Sequence, residues 1–265
     1  MIKSVLCMLL LFAVPAVATI TKVQSNATWG STGTTCTAAL TNTSSQNLLV
    51  VWATWSPSSL TATVGDSAFP TNSFPSAVGP TIQMASNTAA QIFYAKNINP
   101  QIGTDNVKVT FSGTATTASC VAVEYSGADQ NYPLDSVSAG YSTSLNPTNL
   151  LDSGAVAPAN SNLLVFGGGN SDTATVSVGT GFSQVQTSTD LKSITEQMIV
   201  SGNNTLQRAT SNIGPSPNTG NWLMQMAVFR DASWTVTGGW TPARVGQIVM
   251  RASFREAATM ILAIE

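Results

Sequence analysis

Along the chain, β-branched and aromatic residues alternate with polar ones in short segments, punctuated by Gly, Pro, Asn and Ser about every eight to twelve residues. Almost no segment of the chain beyond residue 18 shows the three-to-four-residue apolar spacing of a helix. The pattern predicts strands over residues 34–41, 47–55, 60–64, 89–96, 106–112 and 118–126. It predicts a second series over residues 162–167, 173–178, 193–200, 204–210 and 222–230. An all-β fold follows.

The two series echo each other in order. Asn47-Leu48-Leu49-Val50 returns as Asn162-Leu163-Leu164-Val165, and Val64-Gly65 with Phe69 returns as Val178-Gly179 with Phe182. Gln91-Ile92 returns as Gln197-Met198, and Ala122-Val123 as Ala227-Val228. Four echoes in one order, at offsets drifting from about 115 to about 105, point to duplication or pseudosymmetry. Two copies of one strand series can bury their apolar faces against each other. The expected architecture is therefore a two-sheet antiparallel β-sandwich, of the jelly-roll or concanavalin A-like kind, with an internal pseudo-repeat over residues 19–231. The alternative is two small sandwiches joined near residues 131–149, where Pro133 and Pro147 interrupt the pattern.

The two ends depart from this pattern. Residues 1–18 carry Lys3, an apolar run from Val5 to Val14 and Ala16-Val17-Ala18, the parts of a secretory signal peptide with an A-x-A cleavage site. Export to the cell surface or medium is expected, with Thr19 as the first mature residue. No later run reaches the length of a membrane span. Residues 232–265 form a C-terminal extension without a counterpart in the first half. Its last stretch, residues 251–264, fits a short helix or a loose strand that packs as a terminus or docks on a neighbouring subunit.

Composition narrows the chemistry. Only 8% of the 265 residues are charged, the formal charge is −2, and there is no histidine. Histidine-dependent triads, His-ligated zinc and HExxH chemistry are excluded. So sparse a set of cations offers no footprint for a phosphate backbone, so no nucleic-acid partner is expected. Removal of the leader takes Cys7 with it and leaves Cys36 and Cys120. In an oxidising compartment these form one bridge or remain two buried thiols. A bridge closing a loop of about 85 residues would contribute roughly 4–5 kcal/mol by chain entropy.

Several residues carry candidate chemistry. Glu124 is a carboxylate inside an apolar strand, on the face of Cys120 and Ala122 and opposite Val121, Val123 and Tyr125. A jelly-roll glycosidase would pair it with a second acid, for which Glu196 is the one plausible glutamate. A strand glutamate paired to Lys96 or Arg230, or facing water, is the plainer reading. Asp129, Asn131 and Asp135 place three oxygen side chains on one loop, a pattern that holds Ca²⁺ in some proteins and makes turns in more. Trp29, Trp55, Trp234 and Trp240 fall near predicted strand ends, where an indole could stack on a sugar ring, while Trp52 and Trp222 sit in apolar strands and read as core.

Residues 47–55, 91–97, 123–127 with 131–135, and 222–230 together resemble secreted bacterial lectin-like, jelly-roll β-sandwich domains, found alone or repeated in large surface proteins. The resemblance implies an extracellular recognition or structural role and transfers no catalytic signature. The expected function is a secreted, non-catalytic adhesion or carbohydrate-binding module, with Trp29, Trp55 and Glu124 as ligand-binding residues and a glycan or a cell-surface or matrix component as partner. Two other expectations stand beside it. One is a self-assembling subunit of a filament or surface layer, joined by strand or tail exchange. The other is a glycoside hydrolase-like jelly roll centred on Glu124.

Overall fold

A computed structural model describes residues 19–142, 150–202, 205–214 and 220–233. The predicted leader, Trp234, Trp240 and nearly all of the C-terminal extension lie outside the described residues. Within them every regular element is a strand and every pairing is antiparallel. The first half holds β1 (Thr21–Thr43), β2 (Leu48–Ser56), β3 (Ala62–Gly65), β4 (Ser76–Gln83), β5 (Thr88–Ala95) and β6 (Gln101–Ser126). The second holds β7 (Leu134–Ser142), β8 (Leu150–Asp152), β9 (Leu163–Ser171), β10 (Thr175–Ser177), β11 (Ser183–Thr187), β12 (Ser193–Val200), β13 (Thr210–Gly214) and β14 (Trp222–Arg230). The segment expected to interrupt the pattern, residues 131–149, contains β7.

β1 and β6 pair along their whole length and bend together. The register slips three times between Thr28 and Thr35, where Gly30 and Gly33 adopt positive φ. Beyond the bend, β1 folds back over its own first limb. Gln24, Asn26 and Thr28 donate side-chain hydrogen bonds to the carbonyls of Thr41, Ala39 and Thr37, at 2.8, 2.6 and 2.6 Å. The Cys36–Cys120 disulfide ties the limbs together, with Cα atoms 6.0 Å apart, which decides between the bridge and the two separate thiols.

The sheets enclose three apolar cores. The first lies within the folded-back first half and includes Leu40, Val51, Trp55, Val109, Phe111 and the disulfide. The third lies within the second half, between β9 and β14 on one side and β8, β10 and β13 on the other, and includes Leu151, Val165, Ile213, Met224 and Met226. The second is where the two strand series bury against each other. It takes Leu48, Val50, Trp52, Ile92, Val123 and Tyr125 from the first half, and Leu164, Phe166, Leu223, Ala227 and Phe229 from the second. Central strands β2, β9 and β14 are therefore buried on both faces, which is why they read as unbroken apolar runs.

Both halves carry the same strand order. The facing sheets run β1-β6-β2-β5-β4 and β7-β14-β9-β12-β11. The outer limb of β6 pairs with β1 and β3 as β13 pairs with β8 and β10. β1 meets β11, β4 meets β7 and β14, and β5 meets β14. The echoes of Val50 in Val165 and of Val123 in Val228 keep their pairing but not their faces. Val50 pairs with Val123, and Val165 with Val228. The first pair points into the middle core and the second into the core of its own half. A one-residue slip in a period-two element produces this inversion.

β9 runs four residues past its predicted end, through Gly167-Gly168-Gly169. Glycine is a poor strand former, so propensity stops the strand there; close packing requires it to continue. A Cβ at Gly169 would meet Leu151 and Met224 at 2.7 Å, and one at Gly167 would meet Met224 at 2.9 Å.

Candidate functional site

Where β2 and β9 end, side by side, the facing sheets part and leave a cleft of about 440 Å³. The first half contributes the bend of β1, the end of β2 and the β4–β5 hairpin. The second contributes the end of β9 and the β11–β12 hairpin. Most of the lining is hydroxyl-bearing, including Ser56, Ser86, Thr88, Thr117, Ser119 and Thr189. To these are added the Asn170 amide, the carboxylates of Asp172 and Asp190, and Lys192.

The structure brings two of the predicted tryptophans, Trp29 and Trp55, to this cleft. Trp29 is half-buried at the bend, with its ring centroid 6.4 Å from that of Trp52 beneath it. Bonds from Gly30 N to Ser119 Oγ (3.1 Å) and from Ser31 Oγ to Ala118 O (3.0 Å) anchor the turn that carries it. Trp55 is only 1% exposed, packs on Phe111 and donates its indole N–H to Leu60 O at 3.0 Å. It lines the cleft as a wall of the first core, whereas Trp29 offers ring surface.

The charged groups are set differently. Asp172 accepts both the backbone N–H and the side-chain amide of Asn221, at 2.9 and 2.7 Å, and is held rigidly. Asp190 is exposed on the β11–β12 hairpin, where its Oδ1 accepts the Ser188 hydroxyl at 2.6 Å and Lys192 N at 3.1 Å. Partial burial raises its pKa, but the Ser188 and Lys192 hydrogen bonds and the Lys192 charge outweigh this and hold it below the usual value. Sequence reading missed Asn170, Asp172, Asp190 and Lys192. They stand in ordinary turn-like strings, and only the stacking of the two sheets makes neighbours of them and Trp29.

Glu124 lies elsewhere. It is fully buried, on the Cys120 and Ala122 face as period two requires. Its Oε1 accepts Ser44 N at 2.8 Å and Asn47 Nδ2 at 2.7 Å, and its Oε2 accepts Gln24 Nε2 at 2.6 Å. These bonds join β1, the turn before β2 and β6. Neither Lys96 nor Arg230 is its partner: Lys96 donates to Asn131 O, and Arg230 Nε lies 3.4 Å from Asp129.

The oxygen-bearing loop is likewise occupied by its own structure. Asp129 Oδ1 accepts the N–H groups of Asn131 and Tyr132, at 2.8 and 3.0 Å. Asp135 instead holds the turn at Ala159 and Asn160. The two carboxylates thus brace different turns. Among the described residues no group of three or more His, Cys, Asp or Glu side chains is placed to hold a metal ion.

Glu196 on β12 is fully buried against the core of the second half, where its Oε2 accepts Gly179 N at 2.8 Å. Burial raises its pKa from 4.5 to about 7, against the opposing pull of the bonds from Gly179 and Ser211. It pairs across the ladder with Gly167, and it sits apart from Glu124 in a different core.

Comparison of the chain with protein-family models, with characterised proteins and with solved structures finds no match. What the cleft can do is read from its own chemistry.

Proposed function

We propose that the protein is an exported, non-catalytic carbohydrate-binding module that acts at the cell surface or in the extracellular matrix. The observation that carries this reading is the half-exposed ring of Trp29 in a cleft lined mostly by hydroxyl-bearing side chains, with amide, carboxylate and ammonium groups among them. A sugar ring has an apolar C–H face and an equatorial belt of hydroxyls. An indole face with polar groups around it complements both. The leader-like residues 1–18 and the Cys36–Cys120 disulfide support export to an oxidising compartment. The matching strand orders and the apolar core between the facing sheets support the finer fold reading as well: a two-sheet, jelly-roll-like sandwich with an internal pseudo-repeat.

The test is binding of the full chain to a broad polysaccharide and glycan panel, repeated with Trp29→Ala. Binding to at least one glycan, weakened tenfold or more by the substitution at unchanged thermal stability, is the expected result. Absence of binding across the panel would overturn the reading.

A further inference from the structure

We infer that the cleft selects an uncharged sugar bearing adjacent hydroxyl groups, gripped by Asp190 and Lys192, and disfavours uronic-acid and sulfated glycans; this rests on the carbohydrate reading above. The two hairpins that border the cleft hold related places in the two halves, yet they are chemically unlike. The β4–β5 hairpin, Met84-Ala85-Ser86-Asn87, brings no charge. The β11–β12 hairpin, Ser188-Thr189-Asp190-Leu191-Lys192, brings two charges of opposite sign to the mouth.

Asp190 uses Oδ1 to shape the hairpin, and no other described residue donates a hydrogen bond to its Oδ2. An ionised carboxylate only accepts, so Oδ2 calls for an O–H donor. Lys192 contributes an ammonium that only donates, and no ion pair within 4.0 Å joins it to Asp190. The hairpin thus presents one acceptor and one donor separately. Two neighbouring hydroxyls of a pyranose satisfy both, one giving its proton to Asp190 and the other accepting from Lys192. These charge-assisted bonds are stronger than neutral ones.

The charge balance sets the exclusion. Two carboxylates, Asp172 and Asp190, face one ammonium, Lys192. An acidic sugar would bring a further anion against a net negative lining and would lose its hydration on entry. Trp29, in the same cleft, takes the apolar face of the ring and fixes which edge meets the hairpin.

The test is the affinity of the full chain for neutral glucan, mannan and galactan oligosaccharides against polygalacturonate, alginate and sulfated galactan, with Asp190→Asn and Lys192→Met alongside. The expected result is binding to a neutral oligosaccharide, no measurable binding to the acidic set, and a loss of tenfold or more in each variant at unchanged melting temperature. Acidic glycans bound equally or more tightly, with binding still lost in Trp29→Ala, would overturn this inference and leave the carbohydrate reading standing. Neutral binding unaffected by both hairpin substitutions would overturn it too. Failure of every glycan to bind would remove both.

Discussion

The indole of Trp52 lies directly over the Cα of Gly168: a Cβ at that glycine would come within 2.3 Å of Cδ1 and 2.5 Å of Nε1. This contact joins the central strand of one facing sheet to the central strand of the other, and it forms the floor on which Trp29 rests. Gly168→Ala is therefore expected to destabilise the protein by about 1–3 kcal/mol, the range for overpacking a close contact. Urea unfolding measures it. An unchanged midpoint would show that the sheets can part at no cost.

The disulfide spans the two limbs of the folded-back first half. Replacing Cys36 and Cys120 together by serine is expected to cost about 2–5 kcal/mol, much of it through a freer unfolded chain. The loss should appear as a lower denaturation midpoint for the variant, and equally for the wild type under reducing conditions. A wild type insensitive to reductant would contradict the expectation.

Glu124 is fully buried and accepts hydrogen bonds from three donors. Glu124→Ala leaves those donors unpartnered and is expected to cost on the order of 3 kcal/mol. Glu124→Gln keeps the shape but turns an acceptor into a donor facing other donors, so a smaller loss is expected. If either soluble variant retains glycan affinity within twofold, Glu124 is a structural residue; a selective loss of binding at wild-type stability would make it a ligand group.

Glu196 links stability to pH. Its folded pKa, about 7, lies above its ordinary 4.5, so between those values the folded protein holds a proton that the unfolded chain has released. The stabilisation is complete below pH 4.5 and is lost as pH rises through about 7, amounting to about 3 kcal/mol. Comparing unfolding free energies at pH 5 and pH 8 should show wild type weakening, and Glu196→Gln should flatten this component. A wild-type curve flat across that window would contradict the assignment.

What the sequence discloses follows what each strand buries. β12 and β14 match the predicted 193–200 and 222–230 residue for residue, and β2 begins and ends within one residue of 47–55. Long apolar or alternating runs mark these strands clearly. The first limb of β1, and β4, β7 and β11, escape prediction because they lie at edges and carry Ser, Thr, Gly or Pro, as Pro80 in β4 illustrates, and β8 escapes it as an edge strand of only three residues. β13 falls at 210–214 rather than 204–210. The echo of Val50 in Val165 finds matching pairs but the wrong face, since a strand buried on both sides has no polar phase to set its register. At the cleft, the indole of Trp29 could be picked out from its place near a turn. Asp190 and Lys192 could not, because their role depends on a neighbour about 160 residues away.

The most direct measurement of the central claim is a ¹⁵N–¹H spectrum of the tryptophan indoles during titration with a neutral oligosaccharide that binds. The cleft account predicts that the Trp29 resonance shifts in proportion to occupancy, while that of Trp222, buried in the core of the second half, stays in place. Saturable binding with Trp29 unmoved, or binding that survives Trp29→Ala undiminished, would contradict it.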